Sequence, residues 1–276
     1  MYEAYFGLKE KPFLMRPDPE YLYLSKTHQA ALSMLEYGLM GQVGFLVVSG
    51  EVGSGKTTLV RKLLQVDDPN MIVGLVSNTQ VDSFEELLRW ILLAFDLDYR
   101  NKEKVELYQI LTDFLIEKTA EGKRIVLIID EAQHLSASSL EQVRMLSNVN
   151  ADKDDLLQLI LVGQPELRRI LRGPSLVQFL QRIAVDALIE TLDLEDVENY
   201  IKYRLRIAGG NEELFAEEGV YELIWKATNG VPRLINLVCD TAMLFSFAEQ
   251  SQVVSKDIIN DVIRDKHESL SPIKEG

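Results

Sequence analysis

The segment Gly50–Thr57, GEVGSGKT, has the residue types and spacing of a phosphate-binding loop, G-x4-G-K-[ST]. Its glycines let the backbone turn N–H groups toward an anion, and Lys56 can reach the outer phosphates of a nucleotide. Thr57 offers a hydroxyl to Mg²⁺, and the helix that follows places its positive end under the phosphate. A glycine-rich turn that only caps a helix would not explain Lys56 and Thr57. We therefore predict phosphate contacts from Gly50, Gly53, Ser54, Gly55, Lys56, Thr57 and Thr58.

An acidic pair follows the apolar run in Ile125–Glu131, IVLIIDE. Such a run predicts a buried parallel strand, and open α/β sheets bind ligands at the carboxyl ends of their strands. Asp130 suits the Mg²⁺ shell, and Glu131 suits a general base that polarises an attacking water. Many strands end in an acid that only caps the next helix. The phosphate loop earlier in the chain favours the catalytic interpretation.

Arginines are concentrated between Glu166 and Arg182, at positions 168, 169, 172 and 182, in an otherwise acidic protein. Arginine stabilises the charge on a transferring phosphoryl group and can do so from a neighbouring subunit. For each arginine taken alone, a solvated helix face is the simpler explanation. For Arg182, which immediately precedes a strand predicted at Val185, we favour a functional role.

A further arginine, Arg233, follows Gly230-Val231-Pro232 at a predicted helix start. A cation in the first turn opposes the helix dipole, so a compensating anion is expected. ATP is one candidate, and a salt bridge within the chain is the other. The Lys202, Arg204 and Arg206 run is interpreted as a solvated helix face, and Cys239 as core of the helical region.

Strands and helices alternate through the first two thirds of the chain. Strands are predicted at Gly44–Gly50, Met71–Val76, Ile125–Ile129 and Leu157–Val162, with helices of ten or more residues between them. This alternation predicts an α/β domain with a central parallel sheet flanked by helices.

Helical periodicity replaces the strand pattern after about Leu192. Helices are predicted at Leu194–Ala208, Glu217–Thr228, Pro232–Ala248 and Ser255–Asp265, which together form an all-α C-terminal domain. The N-terminal segment is rich in aromatic residues and proline, which predicts an extended strap across a core. We expect a strap at 1–29, an α/β core at 30–191, a helical lid at 192–268 and a flexible tail at 269–276.

Composition restricts the class of protein. Apolar residues make up 47% of the 276 residues and charged residues 26%, which fits a globular protein and excludes a disordered chain. A net charge of -14 opposes DNA binding except through a local basic patch. The single cysteine excludes an internal disulfide, and the three histidines are too scattered for a metal site. No signal peptide or membrane-spanning run is apparent, so we expect a cytoplasmic chain.

Taken together, several segments resemble the AAA+ ATPases, and more narrowly the general secretion pathway protein A family. They are GEVGSGKT, LIIDEAQHL at 127–135, LVGQPEL at 161–167, FLQRI at 179–183, NGVPRLINLVCD at 229–240 and the opening MYEAYFGLKEKPF. The resemblance covers essentially the whole chain and implies ATP and Mg²⁺ as cofactors, with Thr57 and Asp130 at the metal. It further implies Lys56 and Thr57 as Walker A, Asp130 and Glu131 as Walker B, Gln164 near sensor 1, Arg182 as arginine finger and Arg233 as sensor 2.

Three functions follow from this resemblance. The favoured one is a P-loop AAA+ ATPase that assembles as a ring or filament and works with an envelope partner in secretion or pilus assembly, in the cytoplasm or peripheral to the inner membrane. The alternative is an AAA+ regulator of transposition that oligomerises on DNA, for which the Arg-rich edge and the Lys202–Arg206 run would line a channel. A nucleotide-binding scaffold with negligible turnover is disfavoured by the intact Glu131. Full-length members also carry a transmembrane helix and a peptidoglycan-binding domain, for which these 276 residues show no counterpart.

Overall fold

A computed structural model describes residues 2–65, 68–77, 79–147 and 156–270, with side chains up to residue 265. The helices are α1 (Tyr2–Tyr5), α2 (Lys26–Met40), α3 (Lys56–Leu63), α4 (Phe84–Ala94), α5 (Lys104–Ala120), α6 (Ala137–Ser147), α7 (Pro165–Leu171), α8 (Val177–Leu180), α9 (Leu194–Ile207), α10 (Val220–Thr228), α11 (Pro232–Ala248) and α12 (Lys256–Leu270). The strands are β1 (Phe45–Gly50), β2 (Met71–Val76), β3 (Arg124–Ile129), β4 (Gln158–Gly163) and β5 (Ile183–Ile189). Of the predicted tail, residues 271–276 lie outside the described part.

The chain divides into two compact units. The first, called here the α/β unit, comprises Lys26–Glu51 and Leu59–Ile189. The second, called the helical unit, comprises the residues up to Ser25, the loop Val52–Thr58 and the residues from Glu190 onward.

A parallel sheet in the order β2-β3-β4-β1-β5 forms the centre of the α/β unit, as predicted. Strand β4 lies between β1 and β3 and is parallel to both. The three strands therefore end at the same edge of the sheet, at Gly50, Gly163 and Ile129. We call this the carboxyl edge. The opposite end, where β1 and β5 begin at Phe45 and Ile183, is the amino edge.

Both faces of the central strands are covered. Every residue of β1 and β4 is buried, which explains their continuous apolar sequences. Phe45 stacks on Phe179 of α8 with ring centroids 4.8 Å apart, whereas Gly38 of α2 packs on the next residue, Leu46. Since neighbouring strand residues point to opposite faces, α8 and α2 cover opposite sides of the sheet.

The N-terminal segment belongs to the hydrophobic core of the helical unit. Phe13 is 1% exposed and meets Phe215 edge-on at 5.9 Å between ring centroids. The hydroxyl of Tyr2 donates a hydrogen bond to Asp240 of α11, and that of Tyr23 donates to Asp196 of α9 at 2.8 Å. The segment is therefore tied to α9 and α11 at several points.

Arg204 of α9 corrects the prediction of a solvated basic face. Its side chain is buried, donates from Nε to the carbonyl of Pro12 and from Nη1 to the Tyr200 hydroxyl, and lies over the rings of Tyr21 and Tyr200. The prediction failed because the partners of Arg204 include a strap far away in sequence. Lys202 and Arg206, by contrast, do lie at the surface beside glutamates.

Among the described residues, no helix combines the length and apolar character that crossing a membrane requires.

Candidate functional site

The phosphate-binding loop leaves β1 after Gly50 and enters α3 at Lys56. Gly53 and Gly55 have left-handed φ angles of 80° and 99°, a conformation that side-chain-bearing residues rarely adopt. Ser54 is fully buried, and Lys56 is 7% exposed, although lysine is seldom buried to this extent. The segment thus combines two left-handed glycines with a buried lysine at a helix start, which suits the binding of a phosphate group.

Gly53 and Arg233 are in contact within the helical unit. The Arg233 backbone N–H donates to the Gly53 carbonyl at 3.3 Å, and a Cβ on Gly53 would lie 2.6 Å from the Cβ of Arg233. Only glycine fits there. The Arg233 side chain is exposed, and none of the described carboxylates forms an ion pair with it. The salt bridge considered from sequence is therefore not found among the described residues.

The acidic pair lies immediately beyond β3 at the carboxyl edge. The Asp130 backbone N–H donates to the Val76 carbonyl at 2.9 Å, and one Asp130 carboxylate oxygen accepts from the Glu131 backbone N–H at 2.9 Å. Glu131 has a φ of 53°, in the left-handed region. The Thr79 hydroxyl donates to the Glu131 carbonyl at 2.8 Å, across from the end of β2. These contacts support a backbone conformation that is uncommon for a residue other than glycine.

Two glutamine side chains meet at the Glu131 carboxylate. Gln133 donates from Nε2 to Oε2 of Glu131 at 2.6 Å, and Gln164 donates from Nε2 to the same oxygen at 3.3 Å. Gln164 immediately follows β4, so the strand order brings it beside the end of β3. The structure therefore brings together Glu131 and Gln164, two of the residues predicted from sequence, and adds Gln133.

Arg182 lies at the amino edge, just before β5. Its guanidinium is 5.9 Å from the centre of the Phe45 ring, and Nη1 donates to the Ser147 hydroxyl at 3.2 Å. Phe45 is the first residue of β1, and Gly50 is the last. At about 3.3 Å per residue, β1 separates Arg182 from the carboxyl edge by about 17 Å. Arg182 and Glu131 of one chain are therefore not brought together.

The other arginines of the Arg-rich segment differ from one another. Arg168 forms an ion pair with Asp186 of β5 at 2.5 Å between Nη2 and Oδ2. Arg169 and Arg172 are exposed at the surface of α7 and its end. The positive charge of Arg168 is thus partly compensated within the chain, whereas the others face solvent.

Residues 40–171 match the family described as AAA domain. General secretion pathway protein A of Aeromonas hydrophila is 40% identical over 260 residues, which are 94% of this chain and 47% of that relative. The chain therefore contains an AAA domain at residues 40–171 and resembles general secretion pathway protein A over most of its length. It spans about half the length of that relative.

Solved structures show the same fold. The ORC2 protein of Aeropyrum pernix, determined as ADPNP-ADP complexes, is 14% identical with a TM-score of 0.69, over 96% of this chain and 75% of that chain. Cdc6p from Pyrobaculum aerophilum is 17% identical with a TM-score of 0.70, over 90% of this chain and 70% of that chain. The α/β unit thus has the AAA+ P-loop fold, and helices follow it toward the C-terminus.

The residues present in this AAA+ fold fit a nucleotide with its metal. Glycines in left-handed conformations and the buried Lys56 suit a phosphate chain. Among the described residues, no group of three or more His, Cys, Asp or Glu side chains could hold a metal ion alone. Mg²⁺ usually takes one or two protein oxygen ligands together with phosphate oxygens and water, and the hydroxyl of Thr57 and the carboxylate of Asp130 are donors of that kind.

The sequence interpretation did not identify Gln133 and Thr79, which both bind Glu131. Neither belongs to a spacing pattern with a known chemical meaning. The only signal for Gln133 was its place two residues after Glu131, beyond a strand end. Cys239 is fully buried as predicted, and burial raises the pKa of its thiol, which argues against a reactive role.

Proposed function

We propose that this protein is a Mg-ATP-hydrolysing AAA+ ATPase whose sites lie between subunits of a homo-oligomer, and that it drives or regulates assembly of a secretion or pilus-type envelope machine. The observation that carries the proposal is the Glu131 carboxylate, bound by Gln133 and Gln164 at the sheet edge from which the phosphate loop begins. ATP hydrolysis needs a base and a phosphate cradle together.

In this proposal, the loop binds the phosphates. Backbone N–H groups of Gly53 to Thr58 surround the phosphate oxygens, and Lys56 neutralises charge on the β and γ phosphates. Thr57 and Asp130 would hold the metal. Mg²⁺, when bound, would offset the negative charge that develops on the phosphate oxygens.

Glu131 acts as the base. Its carboxylate accepts a proton as water attacks the γ phosphorus, and ADP leaves with the electrons of the broken P–O bond. Gln164 lies near the sensor 1 position in this proposal, and its amide links the Glu131 carboxylate to the end of β4. The products are ADP and phosphate.

Two arginines outside the phosphate loop stabilise the phosphates in this proposal. Arg233 contacts the loop through Gly53, so its guanidinium is available to a phosphate oxygen of the same chain's nucleotide. Arg182 lies at the amino edge and would act on the nucleotide of a neighbouring subunit. An arginine supplied in this way raises turnover by roughly 10³- to 10⁵-fold.

The cellular role rests on sequence similarity. The relative of 40% identity is a general secretion pathway protein, which supports a role in secretion. A position in the cytoplasm or at the inner membrane surface is part of the proposal. The nucleotide named for the ORC2 structure supports adenine nucleotides as ligands.

The test compares ATP binding and phosphate release in three proteins. Lys56→Ala removes a phosphate contact, so ATP binding should be lost. Glu131→Gln should bind ATP normally but release phosphate about 10²- to 10⁴-fold more slowly, because only the base is removed. Lys226→Ala, which alters a lysine 61% exposed on α10, is the control and should match the wild type. Equal loss of binding in the first two variants would disprove the assigned roles.

A further inference from the structure

Gln133 connects two parts of the carboxyl edge through the two ends of one amide. Its Nε2 donates to Oε2 of Glu131 at 2.6 Å, and its Oε1 accepts from the backbone N–H of Gln164 at 3.0 Å. The amide therefore bridges the carboxylate that follows β3 and the main chain that follows β4. The orientation of the amide is consistent with both contacts, because the end that donates faces a carboxylate and the end that accepts faces an N–H.

Close packing leaves Gln133 little freedom. A Cβ on Gly163, the last residue of β4, would lie 2.9 Å from Oε1 of Gln133 and 2.8 Å from Leu167. The 3-10 turn Ala132–His134 turns the chain back so that the side chain of Gln133 reaches these groups. Any residue larger than glycine at position 163 would displace the amide. The backbone of β4 thus sets the position from which Gln133 donates.

Glu131 needs such support. A glutamate side chain has several rotatable bonds, and ordering it costs side-chain entropy. The backbone of Glu131 is already held in the left-handed region by the Thr79 contact to its carbonyl. Of the two amides on Oε2, Gln133 makes the shorter hydrogen bond, at 2.6 Å against 3.3 Å for Gln164.

We propose that Gln133 is a positioning residue that fixes the Glu131 carboxylate for its role as base, and that it does so by linking that carboxylate to the main chain of β4. This inference rests on the proposed function. Gln133 touches no reacting atom in this account. It acts only through Glu131, and that restriction makes its role separable from a contribution to folding or to ATP binding.

The experiment is a double-mutant cycle between positions 133 and 131 in the full chain. Gln133→Met keeps side-chain length and removes both ends of the amide. It should lower kcat about 10- to 100-fold, because misplacement of a reacting group by about 1 Å has effects of this size. The Kd for ATP and the melting temperature should stay near those of the wild type. In the Glu131→Gln background the same substitution should lower kcat less than 2-fold, since coupled residues are not additive.

Two further variants separate the ends of the amide and control for the chemical change. Gln133→Glu keeps the acceptor for the Gln164 N–H and loses the donor, so its kcat should fall as far as that of Gln133→Met. Gln109→Met on α5 removes another glutamine amide that donates to a carboxylate, at 2.6 Å to Asp113, and should leave kcat unchanged.

A readout without turnover comes from the side-chain amide of Gln133 in nucleotide-free protein. Its NMR resonance, identified by its loss in Gln133→Met, should shift in Glu131→Ala and not in Asp113→Ala.

Additive losses in the cycle, a lowered melting temperature that accounts for the activity loss, or an unshifted resonance would each overturn the inference. An active Glu131→Gln protein would instead refute the proposed function.

Discussion

The two edges of the central sheet hold their charged residues in different ways. At the carboxyl edge, the Glu131 carboxylate is bound by two amides on a backbone of left-handed conformation. At the amino edge, Arg182 lies over the Phe45 ring and bonds to the Ser147 hydroxyl. The two edges are separated by the length of β1, about 17 Å. The two residues therefore lie apart within one chain, and the proposed function joins them through two chains.

Arg182→Ala should have the largest effect. If the arginine serves a neighbouring subunit, phosphate release should fall by about 10³-fold or more while the Kd for ATP changes little. The measurement is steady-state phosphate release at saturating Mg-ATP. Arg206→Ala, which removes an arginine side chain 60% exposed on α9, is the matched control and should retain wild-type turnover. Wild-type turnover in Arg182→Ala would show that the arginine at the amino edge makes no contribution to phosphate release.

Arg204→Ala gives the reference for a purely structural arginine. Its loss leaves the Pro12 carbonyl and the Tyr200 hydroxyl without their donor and removes packing between two tyrosine rings. We expect the free energy of unfolding to fall by about 2 to 4 kcal/mol in urea denaturation. Arg206→Ala should change it by no more than about 0.5 kcal/mol. The turnover number of the folded fraction of Arg204→Ala should stay near that of the wild type. A loss of turnover without a matching loss of stability would mean that Arg204 contributes to ATP hydrolysis.

Ser147→Ala tests how Arg182 is held. The variant removes the acceptor of the guanidinium and the hydrogen bond that the Ser147 hydroxyl donates to the Arg144 carbonyl at 2.7 Å. It should lower the free energy of unfolding by about 1 to 2 kcal/mol and change turnover no more than about 3-fold. Thermal unfolding and phosphate release measure both. A loss of turnover as large as that of Arg182→Ala would mean that the Ser147 contact is essential for positioning the guanidinium.

The smallest signal is expected for DNA binding, because we predict almost no affinity for duplex DNA. The net charge is -14, Lys202 pairs with Glu198 at 2.9 Å, and Arg204 is buried, so the basic run predicted as a channel lining is reduced to the exposed Arg206. We expect a Kd above about 100 µM for duplex DNA at physiological salt, with almost no salt dependence. ATP-dependent filaments on DNA that are lost on Lys202→Ala and Arg206→Ala would favour transposition regulation. Arg204 is left out of that test because its removal should destabilise the fold.

Elements defined by local pattern were predicted well. The strand Met71–Val76 and the helix Pro232–Ala248 have their predicted bounds, and the parallel sheet follows from the alternation of strands and helices. The helix predicted at Glu217–Thr228 begins later, at Val220. The periodicity of one segment is enough to predict the type and approximate bounds of a helix or strand, because an apolar strand or a capped helix is determined mainly by adjacent residues.

Features that depend on distant residues were not predictable in this way. Burial of Arg204 requires the N-terminal strap, and the bridge through Gln133 requires the backbone of β4. The phosphate loop and the acidic pair were recognisable because their chemistry imposes a spacing. The roles of Lys56, Thr57, Asp130, Gln164, Arg182 and Arg233 stay predictions.

The central claim is that the carboxyl edge of one subunit and the amino edge of another form one active site. The most direct test is phosphate release from an equal, well-exchanged mixture of Glu131→Gln and Arg182→Ala subunits. Random pairing would join an intact base with an intact finger at about a quarter of the interfaces, so activity should recover far above that of either variant alone. Activity that stays at the level of the separate variants, in mixtures shown to exchange subunits, would contradict the claim.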